Sequence, residues 1–173
     1  VNPTDDLATA IANGKIDGQS MPDLETYGYY IIVATAGHET TSAAISGALL
    51  ALLQNPDQMD LLRSNVDEYL DDFIEESLRW VSPVRHFVRT STQDYRLGEQ
   101  LIPKGESVAL WYPSGNRDEL VFERSDRFDI ERANKRHIAF GHGSHLCLGQ
   151  HLARMEMRAL FRELLSRVND IEL

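Results

Sequence analysis

Between Pro22 and Pro56 the chain holds no proline, and residues 24–54 read as one continuous helix. About thirty residues at ~1.5 Å each would span roughly 45 Å, the diameter of a sizeable domain. The stretch is apolar on most sides, so it is expected to lie centrally and be buried, which requires other elements around it. That requirement sits awkwardly with a chain of 173 residues, whose length allows a single domain. The first residue is Val1 rather than Met, and the natural N-terminus is expected to lie upstream.

The remaining punctuation defines a helical chain with a small sheet. Asn2-Pro3-Thr4-Asp5-Asp6 starts a first helix that runs to about Ala12, and Asp17-Gly18 makes a turn. Pro56 opens a helix to about Ser64, and another covers 66–80 before Ser82-Pro83. Short β-branched and aromatic runs at 86–91, 95–97 and 107–111 predict a small sheet spanning about 86–111. Residues 112–146 are irregular, with one helical turn expected at 116–118. A final helix is expected over about 147–168, with Leu148, Leu152, Met155, Ala159, Leu164 and Val168 on one stripe. The fold class is therefore mainly α with a small β-sheet.

Several function classes fall away. A single cysteine, Cys147, permits neither an intrachain disulfide nor a zinc site built on several cysteines, and it fits a reducing compartment. The formal charge of −10 disfavours a nucleic-acid partner. That charge is uneven: residues 124–173 carry a net +2 and residues 1–123 a net −12. The apolar runs 29–37 and 43–53 are too short to span a membrane, and a cytoplasmic protein is expected.

The densest chemistry lies in Phe140-Gly141-His142-Gly143-Ser144-His145-Leu146-Cys147-Leu148-Gly149. A cysteine opening a helix meets unpaired backbone N–H groups and the positive end of the helix dipole, a setting suited to a thiolate. The glycines allow tight turns and close approach of a flat ligand. Such a thiolate suits the axial position of a haem iron. A rival arrangement takes His142, His145, Cys147 and His151 as a zinc site. A third reading is a haem-free interaction unit.

This segment resembles the cysteine-ligand loop of the cytochrome P450 haem-thiolate monooxygenases, and the resemblance extends along the chain to the family's C-terminal, haem-ligand half. Ala36-Gly37-His38-Glu39-Thr40-Thr41 is similar to the family's oxygen-activation motif. Glu76-Ser77-Leu78-Arg79 resembles its Glu-x-x-Arg helix, and Arg127-Phe128 the segment that adds a second arginine to that network. Ser125 departs from the proline found there in many relatives.

The resemblance implies haem b (iron protoporphyrin IX) bound within Ala36, Gly37, Phe140 and Gly141, with Cys147 on the iron. It implies that His145 and Arg89 contact the propionates and that residues 84–87 flank the substrate pocket. Small Ala36 and Gly37 leave room for dioxygen, whose activation consumes protons. Thr40 backed by Glu39 can order water and relay those protons. Glu76, Arg79 and Arg127 are expected to form a buried structural network. The implied reaction inserts one oxygen atom from O2 into a small, hydrophobic organic substrate. Its electrons would come from a ferredoxin- or flavodoxin-type donor, steered by Arg132, Lys135, Arg136, Arg154 and Arg158. A full monooxygenase of this kind is more than twice as long, so the chain is expected to be a fragment, inactive alone.

Overall fold

The computed structural model describes residues 3–172, so Asn2 of the expected helix start lies outside them. Two compact units are distinguished, Val1–Thr40 and Thr41–Leu173, and their boundary falls inside a helix.

In the first unit, α1 (Leu7–Ala12) begins where the Asp6 carboxylate accepts the Thr9 N–H at 2.7 Å. Strands β1 (Lys15–Ile16) and β2 (Gln19–Ser20) pair antiparallel across Asp17-Gly18. Both turn residues have positive φ, as a two-residue hairpin of this twist demands.

Helix α2 covers Asp23–Gln54, matching the proline-free run. Its burial does not match. The buried residues are Thr41, Ala44, Ala48, Ala51 and Leu52, all beyond the unit boundary. Before it, Leu24, Tyr27, Ile31 and Ile32 are exposed, so the expectation of a helix buried throughout is corrected for that part. Apolarity around a helix states a demand for neighbours, and only the tertiary arrangement meets it or leaves it unmet.

The second unit is built on α3 (Pro56–Ser64), α4 (Val66–Val81) and α6 (Gln150–Arg167). Pro56 sits at the first turn of α3, where its missing N–H costs nothing. Asn65 caps α4 reciprocally: its side-chain oxygen accepts the Glu68 N–H at 3.3 Å, and its amide donates to the Glu68 carboxylate at 2.8 Å. The core forms between α4 and α6. Phe73 is fully buried, edge-on to Phe161 at 4.8 Å and to Phe128 at 6.3 Å between ring centroids.

Gly47 of α2 faces Val81 so closely that a Cβ there would stand 2.6 and 2.8 Å from the two valine methyls. Gly47→Ala should therefore lower stability by about 1–2 kcal/mol, although alanine favours a helix by ~1 kcal/mol. The urea midpoint of the full-length protein measures this, and adding Val81→Ala should restore it.

The expected single sheet is instead split into separate pairs. Strand β3 (His86–Thr90) pairs antiparallel with β6 (Ser107–Trp111), from His86 opposite Trp111 to Thr90 opposite Ser107. Strand β4 (Tyr95–Leu97) pairs with β5 (Gln100–Ile102), a strand the composition did not single out. The helical turn expected at 116–118 is found earlier, as α5 (Tyr112–Gly115). The last helix also starts later than expected. Cys147 does not open it but lies three residues before Gln150, with Gly149 at the N-cap.

Candidate functional site

Residues 140–147 form a loop closed by its own backbone. The Cys147 N–H donates to the Phe140 carbonyl at 3.0 Å, and Leu146 N–H donates to Gly143 at 3.0 Å. Gly141 (φ 74) and Gly143 (φ 76) lie in the left-handed region, so the turns that present Cys147 require glycine. A Cβ on Gly141 would also meet the Tyr112 hydroxyl at 3.4 Å. Tyr112 is buried and packs against Phe87 of β3, ring centroids 6.1 Å apart. This tyrosine links the cysteine loop to the strand carrying Arg89, and no sequence motif marked it.

Cys147 is exposed, as are His145 and Arg89; Phe140 and Gly141 are half-buried. The apolar neighbours of the cysteine are exposed too: Leu146, Leu148, Leu152 and Met155, with Leu148 at 85%. On the strand side Phe87, Val88 and Trp111 are likewise uncovered. One unit thus carries a soft sulfur donor, uncovered apolar surface and two nitrogen-bearing side chains. That donor set fits a flat apolar macrocycle with an anionic edge and a thiolate-preferring metal. It does not fit zinc. Among the described residues no three His, Cys, Asp or Glu side chains come together to hold a metal, so His142, His145, Cys147 and His151 do not make that site.

Beneath the loop lies a buried ionic network. Arg79 donates through Nε and Nη2 to the two Glu76 oxygens, each at 2.7 Å. Its remaining N–H groups reach the carbonyls of Asn116 (2.8 Å), Ser125 (2.9 Å) and Arg127 (2.9 Å). All five guanidinium donors are therefore used, which is what lets a charge sit at 0% exposure. The third member is Arg132, not Arg127. Arg132 Nε lies 3.1 Å from Glu76 Oε2, and its side chain is 4% exposed. Arg127 points its side chain outward and supplies only its carbonyl, which accepts from both arginines. A carbonyl turned inward at Arg127 forces that residue's side chain away; Glu76 is reached instead by the Asp129 N–H, at 2.8 Å, and by the Arg132 guanidinium. Ser125 likewise serves through its carbonyl, a group that proline would supply equally. Asn116 ties this network to the loop: its amide donates to the Ser82 hydroxyl at 2.8 Å, and its oxygen accepts the Ile138 N–H at 2.8 Å.

A second set of charges joins α4 to α6. Arg154, Arg158 and Arg162 pair with Glu75, Asp71 and Asp67 at 2.5, 2.6 and 2.9 Å, and Lys135 pairs with Asp72 at 2.9 Å. Both helices repeat every four residues, so antiparallel packing stacks the pairs into a ladder. The spacing was visible in the sequence; the pairing partner was not. The basic residues expected to steer an electron donor are therefore largely paired within the chain. Arg132, Lys135, Arg154 and Arg158 each have a carboxylate partner, which leaves Arg136 as the exposed member of that set without one among the described residues.

Burial works against the charge on Glu75, but hydrogen bonds from Arg154 and His137, reinforced by the Arg154 charge, hold its carboxyl down at about 2. A carboxylate depressed in the folded state contributes stability above its ordinary value of 4.5 and loses it as pH falls toward 2. The full-length protein should lose stability across that window in acid titration, and Glu75→Gln should flatten the slope there.

In the other unit, Ala36, Gly37, Glu39 and Thr40 lie together on α2. The Thr40 hydroxyl donates to the Ala36 carbonyl at 2.7 Å. Its lone pairs stay open to accept from water, as a relay would need. Among the described residues no helix is long and apolar enough to cross a membrane.

A helical chain with a glycine-turned cysteine loop, held on a buried Glu/Arg network, defines the class of haem-thiolate proteins. Residues 2–169 match the family model described as Cytochrome P450, and the chain belongs to that family. It is 44% identical over 171 residues to cytochrome P450-terp of a Pseudomonas species, covering 99% of this chain and 40% of that protein. It is also 44% identical over 172 residues to linalool 8-monooxygenase of Pseudomonas putida, covering 99% of this chain and 42% of that protein. The crystal structure of CYP108D1 from Novosphingobium aromaticivorans superposes with a TM-score of 0.92 at 48% identity, over 99% of this chain and 41% of that one. The chain thus spans about 40% of the length of the relatives it matches.

Proposed function

We propose that this chain is the haem-ligand part of a monooxygenase that inserts one oxygen atom from O2 into a small, hydrophobic organic substrate. The observation that carries the reading is Cys147: an exposed sulfur on a loop that two left-handed glycines hold open, in a unit whose surrounding apolar surface is uncovered. Bound haem would supply the reductive activation of O2, with one oxygen atom going to substrate and the other leaving as water.

The protein's own residues then have distinct tasks. The Cys147 sulfur holds the iron, while its N–H, committed to the Phe140 carbonyl, fixes where that sulfur stands. His145 and Arg89 would bind the propionates as donors; among the described residues the Arg89 side chain hydrogen-bonds to nothing but its neighbour Val88's carbonyl, which leaves its other N–H groups for this. Small Ala36 and Gly37 leave space for dioxygen. The Thr40 oxygen accepts from a water, and Glu39 renews the proton passed through it. Glu76, Arg79 and Arg132 keep the loop's platform rigid. Electrons come from a ferredoxin- or flavodoxin-type donor, and family membership supports that assignment.

The test is optical. The reduced carbonyl complex of the full-length protein should show the red-shifted Soret band of a thiolate-ligated haem. An unshifted band, or no saturable haem binding in titration, would return the chain to an interaction unit.

A further inference from the structure

Glu75 stands one residue before the buried Glu76, yet it faces a different set of partners. Its Oε1 receives Arg154 Nε at 2.5 Å; its Oε2 receives Arg154 Nη2 at 3.0 Å and lies 3.2 Å from His137 Nε2. His137 Nδ1 accepts the Ala139 N–H at 3.2 Å, so the ring proton sits on Nε2 and points at the carboxylate. His137 leads into the cysteine loop from one side, and Arg154 lies on the first turns of α6 on the other. Between them is Phe140: the Arg154 guanidinium lies 4.6 Å from its ring centroid and the His137 ring 5.9 Å away. The Phe140 carbonyl is the acceptor of the Cys147 N–H.

We infer that Glu75 is a positioning residue for Cys147: one carboxylate on α4 clamps both ends of the cysteine loop through His137 and Arg154, fixes Phe140 between them, and neutralises the guanidinium that lies over Phe140 at the base of that loop. The inference rests on the haem-thiolate reading of Cys147. Two consequences separate it from a purely structural ion pair. First, the clamp acts on geometry, since Phe140 cannot shift without carrying the Cys147 N–H. Second, it acts on charge, since without Glu75 the Arg154 cation is unmasked. A positive charge beside a haem thiolate favours the reduced, more negative state and raises the reduction potential.

The experiment uses the full-length holoprotein and its Glu75→Gln, His137→Gln and Asp71→Asn variants. Asp71→Asn breaks the next rung of the same ladder, Arg158 with Asp71, away from the loop. Two quantities are read: the rate at which the red-shifted carbonyl band converts to the unshifted form in mild urea, and the haem reduction potential. Glu75→Gln should convert about tenfold faster than wild type and shift the potential upward, as expected from losing charge-assisted hydrogen bonds. His137→Gln should accelerate conversion with little change in potential, because the Arg154–Glu75 pair survives. Asp71→Asn should match wild type in both. The proposal is overturned if Glu75→Gln matches Asp71→Asn in both readouts, or, should Glu75→Gln fail to fold, if His137→Gln converts at the wild-type rate. Absence of the red-shifted band in wild type would instead sink the functional reading itself.

Discussion

Arg79→Ala should be the most damaging single substitution in the chain. The change removes five hydrogen bonds and leaves the Glu76 carboxylate, 1% exposed, with Arg132 as its remaining cation. Breaking a buried pair in this way costs roughly 3–5 kcal/mol. The carbonyls of Asn116 and Ser125 also lose a donor, and where that leaves them unpaired it adds about 1 kcal/mol or more each. Against a total stability of ~5–15 kcal/mol the full-length protein should be largely unfolded or insoluble. Chemical denaturation of whatever soluble protein is recovered measures the loss. The same experiment distinguishes the two candidate third members. Arg132→Ala should cost about 3 kcal/mol or more, since it strands part of the Glu76 charge. Arg127→Ala should fall within about 0.5 kcal/mol of wild type, because a carbonyl is unchanged by trimming the side chain. Equal costs for the two would contradict the observed geometry.

The second large effect is of the opposite kind. Cys147→Ala should abolish the red-shifted carbonyl band of the full-length protein entirely while barely disturbing the core. The sulfur is exposed and the residue's structural hydrogen bond is a backbone N–H that alanine retains. Cys147→Ser keeps loop shape and hydrogen-bonding capacity but offers iron a hard oxygen in place of a soft thiolate, and the band should be lost there as well. Circular dichroism beside the visible spectrum separates loss of ligand from loss of fold. Persistence of the shifted band in either variant would place the axial ligand elsewhere.

These two predictions also show how much of the protein could be read in advance. Helix limits followed from local chemistry: Pro56 at a first turn, Ser82-Pro83 as a stop. Each is decided within a few residues, so sequence suffices. The cysteine loop was legible for the same reason, since Gly141 and Gly143 are needed wherever φ is positive. Pairings across long sequence separations were not. Arg132 displaced Arg127 because the chain turns the Arg127 carbonyl inward, and no local pattern states which way a peptide unit will face in an irregular segment.

Charge shows the same division. Composition located the basic excess correctly at residues 124–173 but could not say what neutralised it. The acids of α4 do so across more than sixty residues of chain, in a ladder that exists only once two helices pack antiparallel. By itself, then, the sequence determined the long α2 helix, the helix-rich class, the family and the sulfur at Cys147, because these rest on periodicity, stop signals and contiguous motifs. The tertiary structure alone decided which half of α2 is buried, which arginine completes the Glu76 network and that Glu75 grips the cysteine loop. Those depend on which groups become neighbours in space, where the free energy of an unpaired buried charge or an uncovered apolar side chain is settled.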